Sequence, residues 1–358
     1  MSIEDLDTPA LLLDLDAFEH NIATMSRFFA ERPAALRPHA KTHKCPRIAL
    51  RQIEAGAIGI TCAKVGEAEV LARAGIRDIL IANQVVGPIK IDRLTDLALD
   101  CDVMVAVDDP ANVDALSEGC RSKGASLRVL VEVDIGMERC GVLPGVPALE
   151  LAQHISESPY LQFTGLMGYE GHLVTVPDPR DRATRVREAM ALLERTVGLL
   201  HSHGLPVQIV SGGGTGTYDV TGALPFVTEV QAGSYVLMDS TYAQIRPEFE
   251  PSLTVLSTVI SRPAPDRAIV DAGMKAMSKE FGIPQPLGLP GAATLSLSEE
   301  HARLSLGEAS PARVRPGDRV RFLPSHCCTT VNLYDTLHVV QRGRLVDFWP
   351  VAARGRGQ

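Results

Sequence analysis

The feature that most restricts the fold of this chain is a repeated alternation across its first two-thirds. Short apolar runs read as strands: "ALLLDL" (10–15), "AIGITC" (57–62), "DILIAN" (78–83), "DVMVAV" (102–107), "LRVLVEV" (127–133), "FTGLMGY" (163–169), "VQIVSGGG" (207–214) and "TEVQAG" (228–233). Between them lie helical patterns such as 65–75, 109–124 and 187–204, which end at Gly75, Gly124 and Gly204, the residue a helix C-cap favours. Apolar strands joined through helices specify a parallel sheet covered on both faces. About eight such units in roughly 230 residues predict a closed TIM-like (β/α)₈ barrel over 15–245 rather than an open sheet. Near residue 245 the helical periodicity fades. "LTVLSTVISR", "RAIVDAGM", "RVRFLPSH" and "TLHVVQRGRLVDFWPV" predict a second, mostly β domain over 246–358, with an N-terminal strand within 1–14. The fold class is therefore α/β with a β-rich C-terminal domain.

The charge of −8 carries no basic stripe, which excludes a nucleic-acid partner. No apolar run reaches membrane-spanning length, so no membrane role is expected. The acidic opening "MSIEDLDTPALLLDLDAF" lacks the basic-then-apolar order of a secretory leader. Seven cysteines, an odd number set among apolar neighbours, indicate reduced thiols and a cytoplasmic protein. Cys45, Cys62, Cys101, Cys120 and Cys140 read as packing.

In a barrel, chemistry gathers where strands end. The unusual clusters fall there. "SGGGTGT" (211–217) offers close backbone approach and hydroxyl donors, which suit an anion such as phosphate as well as a plain turn. It has neither a Walker lysine nor Rossmann spacing. The small-residue turn in "QAGSYVLMD" could complete the same cradle. "RPHAKTHKCP" (37–46) sets Lys41 between two histidines at a strand end. An amine whose pKa is lowered by cationic or apolar neighbours suits imine chemistry with an aldehyde cofactor, although most lysines are solvated surface charges. Pyridoxal 5'-phosphate (PLP) combines one aldehyde with one phosphate. "GMERCG" places Arg139 either at the barrel mouth or on the surface. "GYEGH" supplies Tyr169, Glu170 and His172, of which Tyr169 and Glu170 must face opposite ways.

"PSHCCTTVNLYD" (324–335) puts His326 and Cys328 two residues apart at what reads as a strand exit. Alternation would give an imidazole and a thiolate on one face, able to share a cation and leave open positions for catalysis, with Cys327 turned into packing.

Taken together, "DTPALLLDLDAFEHNI", "RPHAKTHKCP", "EVDIGMERCG", "SGGGTGT", "EVQAGSYVLMD", "DAGMKAMS", "PSHCCTTVNLYD" and "WPVAARG" resemble the fold-type III PLP enzymes. The group is that of D-threonine aldolase, D-serine dehydratase and D-threo-3-hydroxyaspartate dehydratase, with an alanine-racemase-like fold. The resemblance implies that Lys41 bonds the cofactor and that Arg139 contacts its phenolic oxygen. It implies that Tyr169 lies near the pyridine ring, and that Gly213, Gly214, Thr215, Gly233, Ser234 and Tyr235 hold the phosphate. It implies a divalent metal (Zn, Mn or Mg) on His326 and Cys328, and a homodimer with shared active sites.

The chain departs from both subgroups. Aldolases of the group carry His-x-Asp where this chain has Cys328, and some members carry histidine where this chain has Glu170. The expected activity is retro-aldol cleavage of a D-β-hydroxy-α-amino acid to glycine and an aldehyde, with Glu170 or His172 as the hydroxyl's base. The alternative is dehydration to a 2-oxo acid and ammonia. A metal-independent racemase and a non-catalytic PLP carrier are the remaining readings.

Overall fold

The computed structural model describes residues 2–307 and 314–358. Its first nine strands are β1 (Ala10–Asp14), β2 (Ala35–Leu36), β3 (Ile60–Cys62), β4 (Asp78–Ile81), β5 (Asp102–Val107), β6 (Leu127–Glu132), β7 (Leu161–Gly168), β8 (Ile209–Gly212) and β9 (Glu229–Val230). The rest are β10 (Leu253–Ala264), β11 (Arg267–Val270), β12 (Gln285–Leu287), β13 (Ala293–Leu297), β14 (Ala302–Ser305), β15 (Arg319–Leu323), β16 (Thr336–Gln341) and β17 (Arg344–Pro350). Two compact units result. One comprises residues 25–41, 48–233 and 355–358, and the other 2–24, 42–47 and 234–354.

The first unit is built on an all-parallel eight-stranded sheet in the order β2-β9-β8-β7-β6-β5-β4-β3. The sheet closes on itself. Thr61 N–H donates to the Pro38 carbonyl at 2.9 Å, Ala40 N–H donates to the Thr61 carbonyl at 2.8 Å, and His39 bridges Thr61 in parallel. Inside, Leu80, Met104, Ala106, Leu130 and Met167 form one buried cluster. Helices link the strands as the sequence indicates. In Pro110–Lys123, Asp109 caps the start by accepting the Asn112 N–H at 3.1 Å, and Gly124 ends the helix at φ +67°.

The barrel's first strand is the two-residue β2, and the apolar run at 10–14 lies in the other unit, inside the segment expected to accompany the β domain. A two-residue strand between Pro33 and Pro38 carries no periodic signal. The run at 10–14 is apolar throughout, so its pattern fits any fully buried strand equally well.

The second unit holds a nine-stranded sheet whose main path is β13-β14-β11-β10-β1-β16-β17, with β15 pairing β10 and β12. β1 sits between β10, antiparallel, and β16, parallel, which buries Leu11 and Leu13 completely. Among the described residues no helix is long and apolar enough to cross a membrane.

At the N-terminal ends of the barrel strands lies a charged layer. Arg37 pairs with Glu229 at 2.9 Å and with Asp78 at 2.6 Å, and Arg128 pairs with Asp102 at 2.6 Å. The side chains of Arg37 and Glu229 are only 3% and 2% exposed, so neither charge has water to replace a lost partner. Arg37→Met should therefore cost about 3–5 kcal/mol, while pairing it with Glu229→Leu should recover most of that loss. Denaturant midpoints at unchanged m-value measure both, and a single-variant loss below about 1 kcal/mol would contradict the assignment.

Candidate functional site

At the opposite, C-terminal ends of the strands, several expected residues of the barrel unit converge on one aromatic ring. Lys41 Nζ lies 5.9 Å from the Tyr169 ring centroid and Arg139 Cζ lies 5.8 Å from it, both at the outer reach of a cation–π contact. Lys41 and Tyr169 are half-buried and Arg139 is exposed. The Lys41 loop is shaped locally, with Lys41 N–H donating to His39 Nδ1 at 3.4 Å. The Arg139 loop is folded around Asp134, whose Oδ1 accepts the N–H groups of Gly136 and Glu138 at 3.0 and 3.1 Å. His172 is exposed in the one-turn helix Gly171–Leu173, and its ring covers Gly136, where a Cβ would meet Nε2 at 3.1 Å.

The glycine-rich loop follows β8. Gly213 has φ +73°, and a Cβ there would come within 2.9 Å of Val230. At Gly214 a Cβ would stand 3.3 Å from the Tyr169 hydroxyl. Glycine is thus required to bring this backbone beside the Tyr169 ring. Thr215 is buried at the turn, and Gly233 is buried beyond β9.

Glu170 stands apart from its expected role as a base. It is completely buried, and its two carboxylate oxygens accept hydrogen bonds from Gly213, Thr217 and Thr221. A carboxylate engaged in this way braces the loop. What Glu170 would meet in the fold was not legible in the sequence.

In the β unit, Ser234 and Tyr235 are buried, Tyr235 against Phe249 with ring centroids 5.7 Å apart. Ser234 Oγ lies 4.0 Å from Cys328 Sγ. Cys328 Sγ is 3.3 Å from Thr42 Oγ1, the residue after Lys41 in sequence. His326 and Cys328 meet by a route other than strand alternation: His326 is the extended N-cap of the short helix Cys327–Val331, and Cys328 lies in its first turn.

The electrostatics suit a cation at this pair. Hydrogen bonds from Cys327 and then His326 hold the Cys328 thiol well below its ordinary range, against the effect of burial. Burial opposes the His326 imidazolium, but the Cys328 sulfur and Glu280 outweigh it and push the group up to about 9. Glu280 Oε2 engages His326 Nδ1 at 2.7 Å, and Phe281 stacks on the imidazole at 4.2 Å. A histidine tied to a carboxylate through one ring nitrogen presents the other to a metal, and a thiolate is the form of cysteine that ligates. Among the described residues no third His, Cys, Asp or Glu completes the set, which leaves a cation's remaining positions open.

Residues that sequence reasoning passed over complete the surroundings. Asp239 accepts the Cys327 N–H at 3.0 Å and the Tyr242 N–H at 2.9 Å, and so anchors the His326–Cys328 turn. Glu132, at the mouth end of β6, accepts from Gln84 Nε2 at 2.5 Å, and burial raises its pKa. Its signal was available as the one acidic side chain closing a continuous apolar strand. Glu280 had none, because it lies 46 residues from His326. Cys45, Cys62, Cys101, Cys120 and Cys327 are buried, Cys140 is half-buried, and all seven cysteines are free thiols.

Comparison with known proteins agrees with this picture. Residues 13–241 match the alanine racemase N-terminal domain, and 252–340 match a serine dehydratase domain. A D-threonine aldolase from Arthrobacter sp. is 42% identical, covering 98% of this chain and 93% of its own. The 3-hydroxy-D-aspartate aldolase of Paracoccus denitrificans is 36% identical over 100% of this chain and 94% of its own. The crystal structure of D-threonine aldolase from Filomicrobium marinum superposes with a TM-score of 0.97 at 40% identity, covering 100% of this chain and 98% of that one. The chain belongs to the alanine-racemase-like, fold-type III PLP enzymes, in the group that joins the D-threonine aldolases to the D-serine dehydratases.

Proposed function

We propose that this enzyme is a PLP- and divalent-metal-dependent lyase that cleaves D-β-hydroxy-α-amino acids, D-threonine among them, to glycine and an aldehyde. The full-length likeness to two aldolases, spanning the barrel and the β domain alike, carries the reading. PLP supplies an electron sink for the charge left at Cα, and a divalent ion supplies a Lewis acid for the β-hydroxyl.

The chain's own groups divide the remaining work. Lys41 would hold the cofactor through its amine. Tyr169 flanks the ring, Arg139 offers a cation to its phenolic oxygen, and the loops of Gly213, Gly214, Thr215, Gly233, Ser234 and Tyr235 enclose the phosphate. His326 and Cys328 are the metal ligands, with Glu280 fixing the imidazole. With Glu170 engaged in the loop, His172 is the candidate to take the β-hydroxyl proton, a task suited to an imidazole. A homodimer working in the cytoplasm belongs to the same reading, and the seven free thiols fit a reducing compartment.

One observation favours a second reading. The thiolate Cys328 in a His-x-Cys pair fits the dehydratases of the group, which would yield a 2-oxo acid and ammonia.

Products from D-threonine separate the two. Glycine and acetaldehyde are expected, and predominant 2-oxobutanoate with ammonia would overturn the aldolase in favour of the dehydratase. Borohydride reduction of the holoenzyme followed by peptide mass spectrometry should place the pyridoxyl group on Lys41, and its recovery on Lys44, Lys64 or Lys275 would refute that residue's role. Chelation and His326→Ala should each lower turnover at least about 100-fold, and Glu280→Gln should weaken metal affinity about 10–100-fold by equilibrium dialysis. Full lyase activity after chelation would remove the metal from the reaction.

A further inference from the structure

We propose that Glu170 is a positioning residue for the cofactor phosphate, holding the turn after β8 from beneath in the shape that receives the anion. The inference rests on the reading of the Gly213–Thr215 loop as the phosphate seat. Gly213 N–H donates to Glu170 Oε2 at 3.2 Å, and the Thr217 hydroxyl donates to Oε1 at 2.8 Å. The same Thr217 oxygen accepts the Gly214 N–H at 3.1 Å, and the Thr221 hydroxyl also donates to Oε1. Thr217 N–H closes the turn on the Gly214 carbonyl at 3.1 Å. One carboxylate, 0% exposed, thus organises four groups of a single loop, directly or through one hydroxyl.

This geometry changes how the two glycines serve an anion. Their N–H groups point to Glu170 and Thr217, so Gly213 and Gly214 contribute close approach, while Thr215 and Gly216 form the centre of the turn. The chemistry explains why an acid stands here. A carboxylate only accepts, and all the groups that meet it donate. A glutamine would direct an N–H₂ at one of them, which is itself a donor. Tyr169 and Glu170, adjacent on the chain, both meet this loop, Tyr169 at Gly214 and Glu170 at Gly213 and Thr217.

The test compares the full-length protein with Glu170→Gln and with Thr217→Val, which keeps the shape but removes the linking hydroxyl. Each is titrated with PLP and with pyridoxal, the same aldehyde without a phosphate, and followed by absorbance. Both variants should bind PLP about 10- to 100-fold more weakly and pyridoxal within about threefold of wild type. Once saturated with PLP, Glu170→Gln should turn over at no less than about a tenth of the wild-type rate, because no proton passes through Glu170. Equal losses for PLP and pyridoxal would mean a general defect of the fold and overturn the proposal. Unchanged PLP affinity with turnover at saturation reduced about 10²- to 10⁴-fold would return Glu170 to the role of base and overturn it as well. If the wild-type protein itself bound PLP no better than pyridoxal, the loop would not be a phosphate seat, and the reading beneath the proposal would fail independently of Glu170.

Discussion

The barrel depends on a seam of backbone hydrogen bonds only a few residues long. Residues 36–40 pair with 58–61 through Ile58 N–H to the Leu36 carbonyl, Thr61 N–H to that of Pro38, and Ala40 N–H to that of Thr61. The Thr61 hydroxyl adds a fourth bond, to the Arg37 carbonyl, at 2.8 Å. An open parallel sheet would leave two edges of unpaired amides and carbonyls, and closure removes both. Lys41 is the first residue past this seam. Its amine owes its place beside Tyr169 to the pairing that closes the sheet, so stability and site geometry share one set of bonds.

The barrel then divides charge between its ends. At the N-terminal end Arg37 and Arg128 pair with Asp78, Glu229 and Asp102, and with so little water around Arg37 and Glu229 this layer serves structure. At the C-terminal end the cations Lys41 and Arg139 face an aromatic ring and a glycine loop. This matches the general division of such barrels, stability at the bottom and chemistry at the top. The β unit follows a similar logic on a smaller scale. Asp239 anchors the turn, Glu280 holds the imidazole, and hydrogen bonds from Cys327 and His326 hold the Cys328 thiol below its ordinary range.

Acidic side chains show where sequence reading stops. Glu170, Glu132, Asp239 and Glu280 each do work that depends on a partner distant in the chain. Glu170 meets Thr217 and Thr221 across 47 and 51 residues, and Glu280 meets His326 across 46. In a single sequence an acid beside a strand-end tyrosine reads as a catalytic base, because nothing local says that it is buried. The loop's glycines were legible as a place of close backbone approach, whereas the direction of their N–H groups was not.

What the sequence determined by itself was periodic or compositional: strands and helices in alternation, Gly75, Gly124 and Gly204 at helix ends with φ of 95°, 67° and 76°, and the family-specific clusters. These signals are local, set by side-chain spacing along one element and by the backbone freedom of glycine. Tertiary structure alone decided that residues 10–14 pair with β10 and β16, that Ala35–Leu36 is the barrel's first strand, and that Glu170 is bound to the loop after β8. Each of these is a choice of partner. Burial in the closed sheet removes water as an alternative partner for every amide, hydroxyl and carboxylate, so the partner is set by which segments the barrel brings side by side.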